Sequence, residues 1–181
     1  MGKAGSLGIA TNGSNQVITE GTLSLTQEPS ILTGSIASDI SLPVKPLTPG
    51  DSENRYIDLK NNGTIKGSSV VLSIVANPSN ALTTDKDDGL QVSINQCSIN
   101  WTTSGACSGS ETKVLNETSA TSLSEPNPLT LHSLKAGSVS HLQIATRLPA
   151  DSDYSENGVD AKDSMEGLST SIVWKFEEKA N

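Results

Sequence analysis

Hydrophobic and polar residues alternate along most of this chain, in short runs that end at turn residues. The alternation is clearest where Leu90, Val92 and Ile94 take every second position. Because neighbouring side chains of a strand point to opposite faces, a period of two predicts strands with one buried face. Roughly nine or ten strands can be read in this way, the clearest at 22–27, 30–44, 56–59, 70–75, 90–97, 112–116, 129–134, 139–148 and 171–177.

Many turns join the predicted strands, and no long amphipathic helix interrupts them. This order predicts an all-β fold, built as a two-layer antiparallel β-sandwich. The core must be aliphatic, since the 181 residues include only two Tyr, two Trp and one Phe. One domain is the expectation for a chain of this length.

The first twenty residues are rich in Gly, Ser and Asn and have few apolar positions. Leu7 and Ile9 are two positions apart, so in an extended segment they share a face. Such a segment cannot fold alone, and it is either disordered or a strand that adds to a sheet. We predict an extended N-terminal arm over 1–20, with Leu7 and Ile9 as its anchors, and a single sandwich domain over 21–181.

Turn residues mark both ends of one early strand, with Pro49, Gly50 and Asp51 before it and Asn62 and Gly63 after it. Proline suits the first central position of a turn and glycine tolerates positive φ, which predicts a type II turn with Gly50 at the positive-φ position. Asn-Gly is a common end to a strand. These residues are therefore predicted to have a structural role.

The turn sequence Leu-Thr-Pro-Gly-Asp at 47–51 has an echo in Leu-Lys-Ala-Gly-Ser at 134–138. Both precede predicted strands of similar length. Two similar Greek-key halves would produce this repeat, and so would the ordinary recurrence of a turn before a strand.

The chain has two cysteines, Cys97 and Cys107, with Trp101 and Gly105 between them. A metal site needs more ligands at closer spacing, and a redox motif needs Cys-x-x-Cys. We predict a disulfide that closes a hairpin, which would contribute roughly 3 kcal/mol and indicates an oxidising compartment. The alternative is two separate buried cysteines in a reducing cell.

The formal net charge is −8, and Lys and Arg form no basic cluster. Nucleic acid and anionic membranes need concentrated positive charge, so neither is an expected partner. No run of about 18 apolar residues occurs, which predicts no membrane span. The N-terminus lacks the apolar core of a signal peptide. We therefore expect a mature, exported form whose export signal has been removed.

Residues suited to catalysis are few, and no cofactor motif is present. His132 and His141 are the only histidines, and both are predicted to lie at exposed strand positions. No zinc-binding helix, nucleophile elbow or phosphate-binding glycine loop occurs. The sequence predicts a protein that is not an enzyme and that needs no cofactor or catalytic metal.

Two acidic clusters, at 85–89 and 151–158, carry the oxygen ligands that calcium prefers. Neither has the glycine and terminal glutamate of an EF-hand loop. Solvated acidic loops are the alternative to calcium sites. Sequons for N-linked glycans, which are permissive rather than diagnostic, occur at Asn12, Asn62, Asn100 and Asn116.

Four segments in a fixed order resemble the TasA/camelysin family of secreted, fibre-forming proteins. They are Gly-Thr-Leu-Ser-Leu at 21–25, Leu-Thr-Pro-Gly-Asp at 47–51, Asn-Asn-Gly at 61–63, and the final strand segment at 166–177. The resemblance covers the first third of the chain and about its last twenty residues. The resemblance rests on the order of the four segments along the chain.

The resemblance implies a jelly-roll-like sandwich that is exported to the cell surface and polymerises into biofilm-matrix or pilus-like filaments. It also implies donor-strand complementation, in which the arm of one subunit, through Leu7 and Ile9, completes the sheet of the next. Some camelysin-like members have been described as metalloproteases, and this chain supplies no matching zinc ligands.

We therefore expect a structural, self-associating subunit of an extracellular filament. The alternative is a monomeric cell-surface binding or adhesin module whose acidic loops bind calcium. A surface protease is the third hypothesis.

Overall fold

A computed structural model shows the described part of the chain as strands joined by turns and loops. The described residues are 8–11, 25–29, 42–43, 47–61, 64, 66–152, 155–156, 159–160, 165 and 168–180. The strands are β1 (Gly8–Thr11), β2 (Leu25–Pro29), β3 (Leu42–Pro43), β4 (Ser52–Asn61), β5 (Gly67–Asn77), β6 (Gln91–Cys97), β7 (Glu111–Ser119), β8 (Asn127–Leu129), β9 (Val139–Arg147), β10 (Ser155–Glu156), β11 (Val159–Asp160) and β12 (Ser171–Ala180). The helices are α1 (Ala81–Thr84) and a 3-10 helix (Ala120–Ser124).

The strands form two main antiparallel sheets, which confirms the predicted all-β sandwich. Sheet I has the order β1-β12-β5-β8, with β3 also paired to β12. Sheet II has the order β2-β4-β9-β6-β7. A separate two-stranded hairpin joins β10 to β11.

The core lies between the two sheets and is mainly aliphatic, as the composition predicts. Alternate residues of each central strand are buried, so β9 buries Leu142 and Ile144 while their neighbours are partly exposed. From sheet I, the inward side chains of β12 are Ile172, Trp174 and Phe176. Burial of a large apolar side chain stabilises the folded state by roughly 2 kcal/mol. The sandwich is therefore held by the same period-two pattern that predicted its strands.

Two turns of similar form lie at opposite ends of the β4–β9 pair. In the first, the Asp51 amide donates to the Thr48 carbonyl oxygen at 2.8 Å, and Gly50 has a φ of 91°. In the second, the Ser138 amide donates to the Lys135 carbonyl oxygen at 3.0 Å, and the intervening glycine has a φ of 76°. The predicted positive φ at Gly50 is confirmed.

Each of these turns hydrogen-bonds to the far end of the other turn's strand. The Gly50 amide donates to the Leu148 carbonyl oxygen at 3.0 Å, and the Gly137 amide donates to the Asn61 carbonyl oxygen at 2.8 Å. Gly137 follows Gly50 by the same number of residues as Leu148 follows Asn61, so the two bonds are equivalent in the repeat. At the centre of the ladder, Tyr56 faces its own equivalent, Gln143. The echo in the sequence is thus a pseudo-two-fold axis between β4 and β9.

The pseudo-two-fold relation extends into sheet I. β3 precedes the first turn and pairs with β12, whereas β8 precedes the second turn and pairs with β5. β5 and β12 follow the two halves of the repeat and pair with each other. The chain therefore contains two similar halves. In sheet I, the first strand of each half pairs with the last strand of the other half, β3 with β12 and β8 with β5.

Replacing Gly137 with alanine tests the need for positive φ separately from packing. A Cβ at this position would meet nothing within 4 Å, so only the backbone conformation opposes the substitution. We expect Gly137→Ala to lower the free energy of unfolding by about 1 kcal/mol, because an L residue is strained at positive φ. Urea denaturation measures this loss.

Gly137→Asn is the matched control, since asparagine tolerates the left-handed region better than alanine does. It should recover part of the lost stability. Equal stability of the alanine variant and the unmodified protein would show that this turn does not require glycine.

Candidate assembly edge

Among the described residues, one edge of the last strand, β12, pairs only with short segments from early in the chain. β5 pairs with the opposite edge of β12 along its length. At the edge of β12 away from β5, β3 pairs with Ser171 and Ile172, and β1 pairs with residues 175–178. We call this the outer edge of β12. This edge brings the arm predicted over 1–20 together with the final strand of the domain.

The position of a proline fixes which residues of β12 hydrogen-bond toward this edge. Pro43 lies opposite Ser171 and has no amide hydrogen to donate, so this pair takes a non-hydrogen-bonded position. Hydrogen-bonding direction alternates along a strand, so the even-numbered residues of β12 direct their backbone groups to this edge. Of these, Phe176 lies opposite Ala10, so β1 occupies a hydrogen-bonding stretch of the edge.

The predicted arm residues fall partly within this edge. Ile9 lies in β1, opposite Glu177 of the same chain, whereas Leu7 and the predicted boundary between residues 20 and 21 lie outside the described residues. Of the two expectations for the arm, the strand is the one found for Gly8–Thr11. Its pairing with another subunit remains a prediction.

The predicted turn residue Asp51 closes the first turn with its side chain. Its Oδ2 atom accepts hydrogen bonds from the Thr48 hydroxyl at 2.7 Å and from the Thr48 amide at 3.0 Å. These bonds favour the ionised carboxylate and hold the pKa of Asp51 below its ordinary value of 3.8. Pro49 and Gly50 occupy the central positions of the turn, and Asp51 ends it.

The other predicted turn residues, Asn62 and Gly63, lie outside the described residues. Their neighbour Asn61 is buried, and its side-chain amide donates to the Leu134 carbonyl oxygen at 3.0 Å. Its backbone amide donates to the Ser138 carbonyl oxygen at 3.0 Å. Asn61 therefore attaches the end of β4 to the second turn, a role that sequence reasoning did not assign.

The predicted disulfide between Cys97 and Cys107 is present, with a Cα–Cα distance of 5.6 Å. It closes a loop at the end of β6 that folds onto sheet II. Trp101 within this loop is buried, and its indole Nε1 donates to the His141 carbonyl oxygen at 3.1 Å. The Trp101 ring also packs against Tyr56, with 5.6 Å between ring centroids. The disulfide and Trp101 together hold this loop against β4 and β9.

The predicted exposure of His141 is wrong, because its side chain pairs with Asp58 of the adjacent strand and is largely shielded from solvent. The Nδ1 atom of His141 lies 2.8 Å from Oδ1 of Asp58, and both side chains are only 16% exposed. The pair arises because β4 and β9 place these residues opposite each other. His132 is exposed, as predicted, although it lies outside a strand, and its Nε2 lies 2.7 Å from the Thr112 hydroxyl.

The structure brings the two acidic clusters together at one end of the sandwich. The Ser152 hydroxyl donates to the Asp88 carbonyl oxygen at 2.6 Å. Partial desolvation, and then the charges of Asp85, Asp151 and Asp87, raise the pKa of Asp88. Asp85 instead accepts the amides of Asp87 and Asp88, both at 2.9 Å, which lowers its pKa.

No three His, Cys, Asp or Glu side chains of the described residues are grouped so that they could bind a metal ion. Of the sequons, Asn100 and Asn116 are exposed, and Asn12 and Asn62 lie outside the described residues. None of the helices in the described part of the chain has the length and hydropathy of a membrane-spanning helix.

No protein-family model and no curated protein matches this chain.

Removing the disulfide should destabilise the domain and release the Trp101 loop. In the double variant Cys97→Ser with Cys107→Ser, we expect a loss of roughly 3 kcal/mol, because the unfolded chain regains the entropy of the open loop. Urea denaturation measures the loss, and tryptophan fluorescence reports exposure of Trp101. Unchanged stability would show that packing alone holds the loop.

Acidification should remove the contribution of Asp51. Its folded-state pKa is lowered, so its stabilising effect is present above the ordinary value of 3.8 and is lost as pH falls through the folded-state value. We expect Asp51→Asn to be less stable than the unmodified protein near neutral pH, and this difference should shrink as pH falls below 3.8. Thermal unfolding over a pH series measures it, and a pH-independent difference would contradict the assignment.

Proposed function

We propose that this protein is a structural subunit of an extracellular filament, of the biofilm-matrix or pilus-like kind, that polymerises through its N-terminal arm. The observation that carries the proposal is the pairing of β1 with the outer edge of β12. A neighbouring subunit's Gly8–Thr11 would take the same place, antiparallel to β12. The proposal includes a jelly-roll arrangement, for which the pseudo-two-fold relation of the two halves is the support.

The chemistry of this edge favours exchange between subunits. β1 is the terminal strand of sheet I, so its pairing within the sheet involves β12 alone. Main-chain hydrogen bonds give affinity in this mode of recognition, and a strand from a second copy would form the same bonds. The exchange therefore conserves contacts, and its equilibrium depends on subunit concentration and on the cost of closing the arm within one chain.

The length of chain next to the arm is sufficient to reach a neighbour. Residues 12–24 connect β1 to β2, and an extended segment of this length spans at most about 43 Å, at about 3.3 Å per residue. A domain of this size has a diameter on the order of 40 Å. An arm could thus cross the contact between two subunits.

Charge would control how readily the subunits meet. At a net charge of −8 the subunits repel each other, and this repulsion is screened beyond about 8 Å at physiological ionic strength. Assembly is therefore expected to be faster in salt. The disulfide supports an exported location, since such bonds persist in oxidising compartments.

Deletion of residues 1–11 tests the arm. We expect the shortened chain to stay folded and to form no filaments, because it has no strand to donate. Sedimentation and electron microscopy measure polymerisation, and circular dichroism checks the fold. A matched control is the full-length variant Lys3→Gln, which changes the arm outside β1 and should polymerise.

A synthetic peptide of residues 1–20 provides the complementary test. It should bind the shortened chain and inhibit polymerisation of the full chain, because it competes for the β12 edge. Filaments that persist after the deletion would overturn the arm mechanism. Discrete particles at every concentration, with calcium-dependent stability, would favour the surface-binding module, and chelator-sensitive peptide cleavage would favour a protease.

A further inference from the structure

The outer edge of β5 is only partly covered. β8 pairs with Val70, Val71 and Leu72, and none of the described strands pairs with the next stretch, 73–77, on that side. We call residues 73–77 the β5 edge. In the pseudo-two-fold relation, β8 on β5 corresponds to β3 on β12. β12 also pairs with β1, and β5 has no described strand that corresponds to β1.

A second proline defines the hydrogen-bonding direction at the β5 edge. Pro128 of β8 lies opposite Val71 and cannot donate, so Val71 takes a non-hydrogen-bonded position on that side. The even-numbered residues therefore direct their backbone groups outward from β5 to the side of β8. Within the β5 edge these are Ile74 and Ala76, and none of the described residues forms a backbone hydrogen bond with them on that side.

The β5 edge has no charged residue, no proline and no register shift, and the 3-10 helix Ala120–Ser124 also contacts β5. Natural sheets block their edges with charged residues, prolines, bulges or covering segments. β7 has exposed charged residues and two register shifts, and β12 is covered by β1 and β3. The β5 edge reads Ser-Ile-Val-Ala-Asn, with no charge, and Val75 within it is 45% exposed.

We propose that the β5 edge is a self-association surface, on which a second copy of this chain pairs antiparallel through the same residues, about a two-fold axis at Val75. Sheet I would then continue from one copy into the other. This surface and the arm strand β1 lie at opposite edges of sheet I. The proposal does not depend on filament formation.

One register satisfies the backbone groups of both copies. With the axis at Val75, Ile74 of each copy lies opposite Ala76 of the other, and each such pair exchanges two hydrogen bonds. An axis at Ile74 would put Ala76 opposite Leu72, which β8 already covers, and an axis at Ala76 would put Ile74 opposite Pro78, which has no amide hydrogen.

The side chains also favour a second copy as the occupant. In this register the two Val75 residues form a non-hydrogen-bonded pair, the position in which opposing side chains are closest. Both are exposed in the single chain and would bury apolar surface against each other. A chain with a net charge of −8 repels its copies over most of its surface, and the uncharged β5 edge avoids that repulsion.

Amide hydrogen exchange of the full chain tests this pairing residue by residue. The amides of Ile74 and Ala76 should exchange at least roughly tenfold more slowly when the protein is raised from about 10 µM to about 1 mM, the range expected for a small contact. The amides of Ser73 and Val75 face β12 and are internal controls, protected at both concentrations.

Val75→Lys should abolish the concentration dependence, because it places two ammonium groups opposite each other. Ile99→Lys is the matched control, since Ile99 is a β-branched residue of similar exposure, 49%, in the disulfide-closed loop. Its exchange should follow that of the unmodified protein. Protection of Ile74 and Ala76 that is absent, independent of concentration or unchanged by Val75→Lys would overturn the proposal.

Deletion of residues 1–11 separates this surface from the arm. The shortened chain should keep the concentration-dependent protection of Ile74 and Ala76 even if it forms no filaments. Loss of that protection on deletion would assign the effect to the arm and overturn a self-association surface on β5.

Discussion

The pairing of β5 with β12 is the contact on which the rest of the architecture depends. These two long strands follow the two halves of the repeat, and their inward side chains supply much of the core from sheet I. Each of the remaining described strands of sheet I pairs with one of these two. Because the two strands occupy each other's inner edges, their outer edges alone are left to receive further strands, and both proposed contacts between subunits lie there.

Much of the fold could be predicted from local sequence because its determinants are local. Alternating side chains identified the central strands, and a proline-glycine pair identified the turn with positive φ at Gly50. Two cysteines separated by a short loop predicted the disulfide. The pairing of His141 with Asp58 could not be read in this way, since it depends on the register between β4 and β9, which are far apart in sequence.

The candidate site was predicted less completely, for the same reason. The sequence distinguished the arm from the domain, yet only strand pairing places Gly8–Thr11 beside β12. The role of Asn61 escaped prediction because its partners belong to the second turn, which pseudo-symmetry brings alongside. A closer comparison of the segments at 47–51 and 134–138 was the one available signal, since equivalent turns in two halves are expected to contact equivalent strand ends.

Pro43 and Pro128 have a consequence beyond their own strands. They lie on β3 and β8, at the outer edges of β12 and β5. Each proline lies in a pair without hydrogen bonds, so it marks which residues of the neighbouring strand direct backbone groups outward. The register of a strand added beside β12 or β5 can therefore change only in steps of two residues. A strand displaced by one residue could bond to the edge only by turning its other face to the core. The two prolines thus mark the hydrogen-bonding alternation of sheet I. This alternation restricts the registers that an added strand can take, whatever its side chains are.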